Sequence, residues 1–179
     1  MSVRRLSRPP IVVLTGVENS GKSTLAESLS AELGWALLPE AARFDDAVLS
    51  GQVTADDLSR LLAKFQRDVA TSSAAHPQGV LCDTGGVVLD LWSEVAFHQP
   101  LPGAADLQAE ADLYVLCRTL PEWEPDPLRS LPDLAARRDL EARYVNRLTE
   151  RGLPWVDLPA LPLDQRVQRA KDAILHALS

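Results

Sequence analysis

Short apolar runs alternate along the chain with stretches in which apolar residues recur every three or four positions. Five apolar runs have the length of a strand, at residues 11–15, 35–39, 79–83, 112–117 and 154–158. This alternation is typical of βα units whose strands build a parallel sheet. The pattern therefore predicts an α/β fold.

The predicted helices lie between these runs. The clearest begins after Thr54, where five apolar side chains fall on one face and Asp57 nearly completes a capping box. Packing helices are also predicted after Asp133 and from about Asp164, and another follows the first strand. Prolines are dense only in residues 121–132. Because proline is excluded from helix interiors and central strands, this segment is predicted to be a functional or mobile loop.

A glycine-rich motif, "GVENSGKST" at residues 16–24, separates the first predicted strand from its helix. It fits G-x-x-x-x-G-K-[ST], in which backbone N–H groups and a helix N-terminus converge on phosphates. Lys22 is expected to reach the β and γ phosphates, and the Ser23 hydroxyl to ligate Mg²⁺. An ordinary strand-to-helix turn is the alternative. The motif predicts a nucleoside triphosphate and Mg²⁺ as ligands, with nucleotide-binding residues Gly16, Glu18, Asn19, Ser20, Gly21, Lys22, Ser23 and Thr24.

A second metal-side residue is expected at the end of a neighbouring strand. Asp83 closes the run "GVLCD" and precedes "TGG", a sharp exit that leaves a carboxylate at the carboxyl edge of the sheet, where ligands of open α/β sheets bind. Asp83 is thus a candidate for holding water on Mg²⁺ or for accepting the proton of an acceptor hydroxyl. Capping the following helix is the alternative role.

Composition narrows the classes of protein that fit. Apolar residues make up 46% of the 179 positions and charged residues 24%, as in globular chains. The net charge of −7 argues against a nucleic-acid partner, and the apolar runs are shorter than the roughly 20 residues that span a membrane. No signal-peptide pattern is present, so we expect a cytoplasmic protein.

One domain is predicted over residues 11–179 after a flexible N-terminus, residues 1–10. Cys82 and Cys117 are expected to be buried thiols.

Further segments carry a family resemblance. In order along the chain they are "PEAARF" (39–44), "LCDTGGVVLDLWSEV" (81–95), "ADLYVLCRTLPEWEPDPLR" (111–129) and "RRDLEARY" (137–144). Together with the phosphate loop they resemble the NadR-type ribosylnicotinamide kinase-like P-loop family, from about Ile11 to Leu158. The resemblance implies a three-layer fold like that of nucleoside kinases, in which helices cover both faces of a five-stranded parallel sheet. It also implies an arginine-bearing lid and ATP-dependent phosphorylation of the 5′-hydroxyl of nicotinamide riboside.

The resemblance also implies roles for individual residues. The lid arginines of relatives map onto Arg129 and Arg137, and an acidic strand-end residue maps onto Asp83. Glu40 and Arg43 match a pair near the phosphate acceptor. One departure is that many relatives have Asp-Thr-Asp where this chain has Asp-Thr-Gly at residues 83–85.

Elementary chemistry supports these roles and leaves alternatives open. A guanidinium over the γ-phosphate stabilises charge as it shifts to the leaving oxygen, although Arg129 and Arg137 can instead pair with surface carboxylates. Glu40 can bind ribose hydroxyls while Arg43 orients it, or the two can form an exposed ion pair. Trp92 and Trp123 can stack an aromatic base or simply pack in the interior.

A competing interpretation is a guanine-nucleotide or ATP-hydrolysing switch without a metabolite acceptor. Residues 83–86 read as D-x-x-G, the γ-phosphate sensor of such switches. No Asn-Lys-x-Asp segment follows, however, and the arginines suit a kinase better. The sequence therefore predicts an ATP-dependent small-molecule kinase with a nucleoside acceptor, with a homodimer as a candidate assembly.

Overall fold

The computed structural model describes residues 8–104 and 110–179. Within these ranges the strands are Ile11–Thr15 (β1), Ala36–Leu38 (β2), Val80–Asp83 (β3), Leu113–Cys117 (β4) and Trp155–Leu158 (β5). The helices are Lys22–Leu33 (α1), Asp46–Leu49 (α2), Ala55–Ala75 (α3), Gly86–Phe97 (α4), Leu134–Glu150 (α5) and Leu163–Leu178 (α6), with a 3-10 helix at Ala41–Phe44.

The strands form one parallel sheet in the order β2-β3-β1-β4-β5. The central strand β1 pairs with both β3 and β4, so Val13 lies between Cys82 and Tyr114. This arrangement confirms the predicted α/β fold with a five-stranded parallel sheet. Several strands are a residue shorter than predicted. Pro39 and Pro154, for example, lie just outside β2 and β5. Pro154 supplies only its carbonyl oxygen, which accepts from the Tyr114 N–H at 2.8 Å, because proline has no N–H to donate.

Helices cover both faces of the sheet, which confirms the three-layer arrangement. On one face, α1 and α6 bury Leu25, Leu29 and Ile174 against β1, β3 and β4. On the other face, α3, α4 and α5 contribute a larger cluster that includes Phe65 and Leu148. Burying such side chains stabilises the fold by about 1.5–3 kcal/mol each.

Local signals set where several helices begin and end. The predicted capping box is present in α3, where Thr54 accepts a hydrogen bond from the Asp57 N–H and the Asp57 carboxylate accepts one from the Thr54 N–H. Asp133 caps α5 by accepting from the Ala136 N–H at 2.7 Å. Helix α1 ends at Gly34, whose φ of 67° favours glycine.

Outside these helices and strands lie the proline-rich segment and the N-terminus. Residues 118–133, which contain the proline-rich segment, form neither helix nor strand. Residues 1–7 of the predicted flexible N-terminus lie outside the described residues. In the remainder, Arg8 forms an ion pair with Asp112 at 2.9 Å, and the Pro10 carbonyl accepts from the Val80 N–H at 2.9 Å. Among the helices of the described ranges, none combines the length and apolar character that a bilayer crossing needs.

Candidate active site

The phosphate loop occupies the turn between β1 and α1, at the carboxyl edge of the sheet. Gly16 and Gly21 have φ values of 134° and 71°, which favour glycine. A Cβ atom on Gly16 would lie 2.5 Å from the Cys117 carbonyl oxygen, and one on Gly21 would lie 2.7 Å from Nη1 of Arg166. The loop therefore fits closely between the end of β4 and the first turn of α6, and both glycines are needed for that fit.

Lys22 is the first residue of α1 and its side chain folds back over the loop. Its Nζ donates to the carbonyl oxygens of Gly16 at 2.9 Å and Val17 at 2.8 Å. The ammonium group thus lies beside the positive end of the α1 dipole. This combination attracts a negatively charged group.

Several buried polar atoms at the carboxyl edge of the sheet have no hydrogen-bond partner among the residues that the structure describes. They are the Oγ1 atoms of Thr15, Thr84 and Thr119 and Oδ1 of Asp83, at or just beyond the ends of β1, β3 and β4. Asp83 is only 5% exposed. Buried polar atoms are ordinarily hydrogen-bonded, so this group suits a polar ligand with its own waters.

The side chains near the phosphate loop include oxygen ligands that suit Mg²⁺. No cluster of three or more His, Cys, Asp or Glu side chains occurs in the part of the chain that the structure describes. Mg²⁺ rarely uses such a cage, because it keeps several waters and takes one or two carboxylates together with substrate phosphates. The predicted pair, the Ser23 hydroxyl and the unpartnered Asp83 oxygen, is a donor set of that kind.

A cavity of about 670 Å³ joins the phosphate loop to a second, more apolar compartment. Every residue predicted to bind the nucleotide lines it. The second compartment is formed by α4, α5 and the segment after β2, with Val88, Leu91, Trp92, Val95, Leu140 and Tyr144. The predicted substrate residues Glu40, Arg43 and Trp92 therefore share one cavity with Lys22. Asp83 lies behind this surface, because its carboxylate is buried.

Glu40 and Arg43 stand where the two compartments meet. Arg43 Nε donates to Glu40 Oε2 at 3.2 Å, and its Nη1 donates to Asp126 Oδ2 at 3.1 Å. Burial raises the pKa of Glu40 and the charge of Asp83 adds to this, against the opposing effects of Lys22 and Arg43. Burial lowers the pKa of Arg43, but its hydrogen bond to Asp126 and the surrounding carboxylates outweigh burial and raise it. Glu40 is therefore within electrostatic reach of Lys22, Asp83 and Arg43.

The two predicted lid arginines occupy different environments. Arg129 lines the cavity on residues 120–131, which we call the strap. Arg137 is 1% exposed, donates to the Leu120 carbonyl at 2.8 Å and lies 5.2 Å from the ring centre of Trp123. Neither Arg137 nor Trp123 lines the cavity, and their contact with ligands stays a prediction. Because α5 carries Arg137 beneath the strap, its guanidinium supports the strap from inside. The arginine lid itself stays a prediction.

Two cavity residues were missed by sequence reasoning. Arg166 on α6 is 2% exposed and donates to the Ser20 carbonyl at 2.7 Å, and Tyr144 on α5 faces the apolar compartment. Burial raises the pKa of Tyr144, and the charges of Glu40 and Glu18 raise it further. Tyr144 lies on the helix predicted after Asp133, for which only a packing role was expected. Nothing in the sequence near Arg166 indicates that α6 returns to the phosphate loop.

The sheet order, the glycine loop between β1 and α1 and the acidic end of β3 define a P-loop α/β protein with the fold of nucleoside kinases. The chain belongs to the AAA domain family, whose pattern matches residues 11–166. A comparison with curated protein sequences gave no match.

Solved structures share this fold. A NadR protein in complex with NR is 22% identical, with a TM-score of 0.74, and the match covers 95% of this chain and 52% of NadR. A NadR protein in complex with NAD and AMP-PNP is also 22% identical, with a TM-score of 0.70, and the match covers 95% of this chain and 49% of that one. Deoxyadenosine kinase from M. mycoides is 11% identical, with a TM-score of 0.63, and the match covers 93% of this chain and 99% of that one. The chain thus spans about half the length of NadR, and the likeness confirms the NadR-like P-loop fold.

Proposed function

We propose that the protein is an ATP-dependent kinase that phosphorylates the 5′-hydroxyl of nicotinamide riboside or a similar nucleoside. The observation that carries the proposal is the single cavity in which a phosphate loop opens into an apolar compartment. Its volume falls in the usual range of ligand pockets, about 300–1,000 Å³. A donor and an acceptor bound side by side would meet near Lys22, Glu40 and Arg43. The NadR complexes with NR and with AMP-PNP support the choice of both ligands.

The charges of the cavity favour an acceptor without a phosphate group. Its lining contains four cations, Lys22, Arg43, Arg129 and Arg166, and four carboxylates, Glu18, Glu40, Glu122 and Glu124. The triphosphate would engage Lys22 and the loop amides, while Arg43 is already paired with two carboxylates. An uncharged nucleoside, or one with the positively charged pyridinium ring of nicotinamide riboside, fits this balance. The indole of Trp92 offers such a ring a favourable face.

Phosphoryl transfer needs an aligned acceptor and stabilisation of charge around the transferred group. The loop amides and Lys22 would hold the β and γ phosphates, and Arg129 would approach from the strap. Glu40, oriented by Arg43, would accept hydrogen bonds from ribose hydroxyls. Asp83 would orient the 5′-hydroxyl or hold a water of the metal ion. Ser23, together with Asp83 where it holds a water of the ion, would bind Mg²⁺, whose charge would neutralise part of that of the phosphates.

The switch interpretation is less well supported. A γ-phosphate sensor needs a free N–H at the last glycine of D-x-x-G, but the Gly86 N–H donates to Glu110 Oε1 at 2.8 Å. The apolar compartment would also be without a purpose in a switch. The cytoplasmic location, the homodimer and the single domain over residues 11–179 stay predictions.

The test is to incubate the protein with Mg-ATP and a panel of nucleosides and to weigh the products for an added phosphoryl group. We expect transfer to nicotinamide riboside, which Lys22→Ala abolishes. Lys64→Ala is the matched control, because Lys64 pairs with Asp68 on the exposed face of α3, and it should leave transfer unchanged. Tight GTP binding without transfer to any nucleoside would contradict the proposal.

A further inference from the structure

The strap lies against the phosphate loop, although its backbone belongs to no helix or strand. Three prolines at positions 121, 125 and 127 stiffen it but remove N–H donors. Its position must therefore be fixed by other contacts. The side chains that supply most of them come from the phosphate loop, at motif positions that accept any residue.

Asn19 makes three of these contacts. Its Nδ2 donates to the Glu122 carbonyl at 2.5 Å, and its Oδ1 accepts from the Glu124 N–H at 3.1 Å and from Arg129 Nη1 at 2.9 Å. The side chain is buried, with 8% of the residue exposed. Its φ of 58° is left-handed, a conformation that asparagine tolerates better than most residues. Asparagine thus suits both the backbone and the hydrogen bonds at this position.

Glu18 and Arg43 hold the strap at two further points. The N–H groups of Ser130 and Leu131 both donate to Glu18 Oε1, the first at 2.8 Å. Arg43 reaches Asp126 in the middle of the strap at 3.1 Å. With its two ends and its centre anchored, the strap presents Arg129 to the cavity at a defined place.

We propose that Asn19 is a positioning residue, which holds the strap and the Arg129 guanidinium against the phosphate loop before the nucleotide binds. The proposal rests on the proposed function for its effect on turnover. A catalytic arginine on an unrestrained loop must be ordered in every reaction cycle, which weakens its contribution to the rate. Asn19 removes that ordering step, so the strap works as a fixed wall of the site.

The first test needs no substrate. Asn19→Gly removes the side chain and keeps the left-handed backbone unstrained. We expect amide hydrogen exchange across residues 120–131 to become at least about tenfold faster in this variant, with exchange in α3 unchanged. Asn146→Ala on the exposed face of α5 is the matched control and should leave the strap unchanged. Rapid exchange of the strap in the unaltered protein, or no change in Asn19→Gly, would overturn the proposal.

The second test separates positioning from simple structural support. We expect Asn19→Gly to lower kcat about tenfold, with ATP affinity within about threefold, and Arg129→Ala to lower kcat by about a hundredfold. Because Asn19 acts through Arg129, the double variant should match Arg129→Ala within about twofold. Asn19→Asp keeps an oxygen that can accept from Arg129, so its kcat should lie between those of Asn19→Gly and the unaltered protein. If the two substitutions lower kcat independently, so that their effects multiply in the double variant, the proposal is overturned. If no nucleoside is phosphorylated, the proposed function fails, and the exchange experiment still decides the role of Asn19.

Discussion

Glu110 is a buried carboxyl that should make the stability of the fold depend on pH. Its Oε1 accepts from the Gly86 N–H at 2.8 Å, at the start of α4, and its Oε2 accepts from the Tyr114 hydroxyl at 2.5 Å. Burial raises the pKa of Glu110 from 4.5 to about 7, even though these two hydrogen bonds act to lower it. Helix α4 also carries Trp92, so the hydrogen bond between Glu110 and Gly86 helps to position a residue of the candidate acceptor site.

The sign and size of the effect follow from this shift. The folded protein holds the Glu110 proton more tightly than the unfolded chain, so the stabilisation is full below about pH 4.5. It is lost as the pH rises through about 7. A shift from 4.5 to about 7 corresponds to at most about 3 kcal/mol of unfolding free energy. In Glu110→Gln, the amide can still accept from Gly86 and can donate to Tyr114, as the protonated carboxyl would.

We therefore expect Glu110→Gln to match the unaltered protein near pH 5 and to be more stable by roughly 2–3 kcal/mol near pH 8. Urea unfolding at both pH values measures the difference directly. Glu150→Gln, which changes an exposed carboxylate at the end of α5, is the matched control and should not alter the pH dependence. If Glu110→Gln keeps the same pH dependence as the unaltered protein, the reasoning about this buried carboxyl is wrong.

The remaining predictions concern the candidate site. Lys22→Ala should abolish phosphoryl transfer while the thermal unfolding temperature stays within a few degrees, and retained transfer would count against the site. Asp83→Asn should lower kcat far more than ATP affinity, measured by turnover and calorimetry, and equal losses would reduce Asp83 to a binding role. Trp92→Ala should raise KM for the nucleoside about tenfold or more, whereas Trp123→Ala should mainly reduce stability, because only Trp92 lines the cavity. A KM effect confined to Trp123→Ala would contradict this assignment.

The fold was largely predictable because its signals are local. The buried run of β1, the glycine loop and the capping box at Thr54 each determine the structure of a few neighbouring residues. The parallel sheet then follows, since strands that alternate with helices have few other arrangements. The ends of β2 were the least accurate, with one residue lost at each end, because this edge strand is short and only partly buried.

The site was predictable only where a motif fixes a position. The phosphate loop and Glu40 line the cavity as expected. The burial of Arg137 and the contact of Arg166 with Ser20 were not predicted, because both depend on how helices distant in sequence pack. The Asp-Thr-Gly departure also has a reason that only the fold shows. A Cβ atom on Gly85 would lie 2.7 Å from Cγ1 of Val13 and 3.4 Å from the Glu110 carboxylate.

In the proposed kinase, one cavity binds a triphosphate on the loop of residues 16–24 and a nucleoside in the adjoining apolar compartment. A crystal structure with Mg²⁺, a non-hydrolysable ATP analogue and nicotinamide riboside tests it most directly. We expect the β and γ phosphates to lie on the loop amides and Lys22, with the 5′-hydroxyl directed at the γ phosphate and the ring near Trp92. A triphosphate bound elsewhere, or a nucleoside outside the compartment, would contradict it.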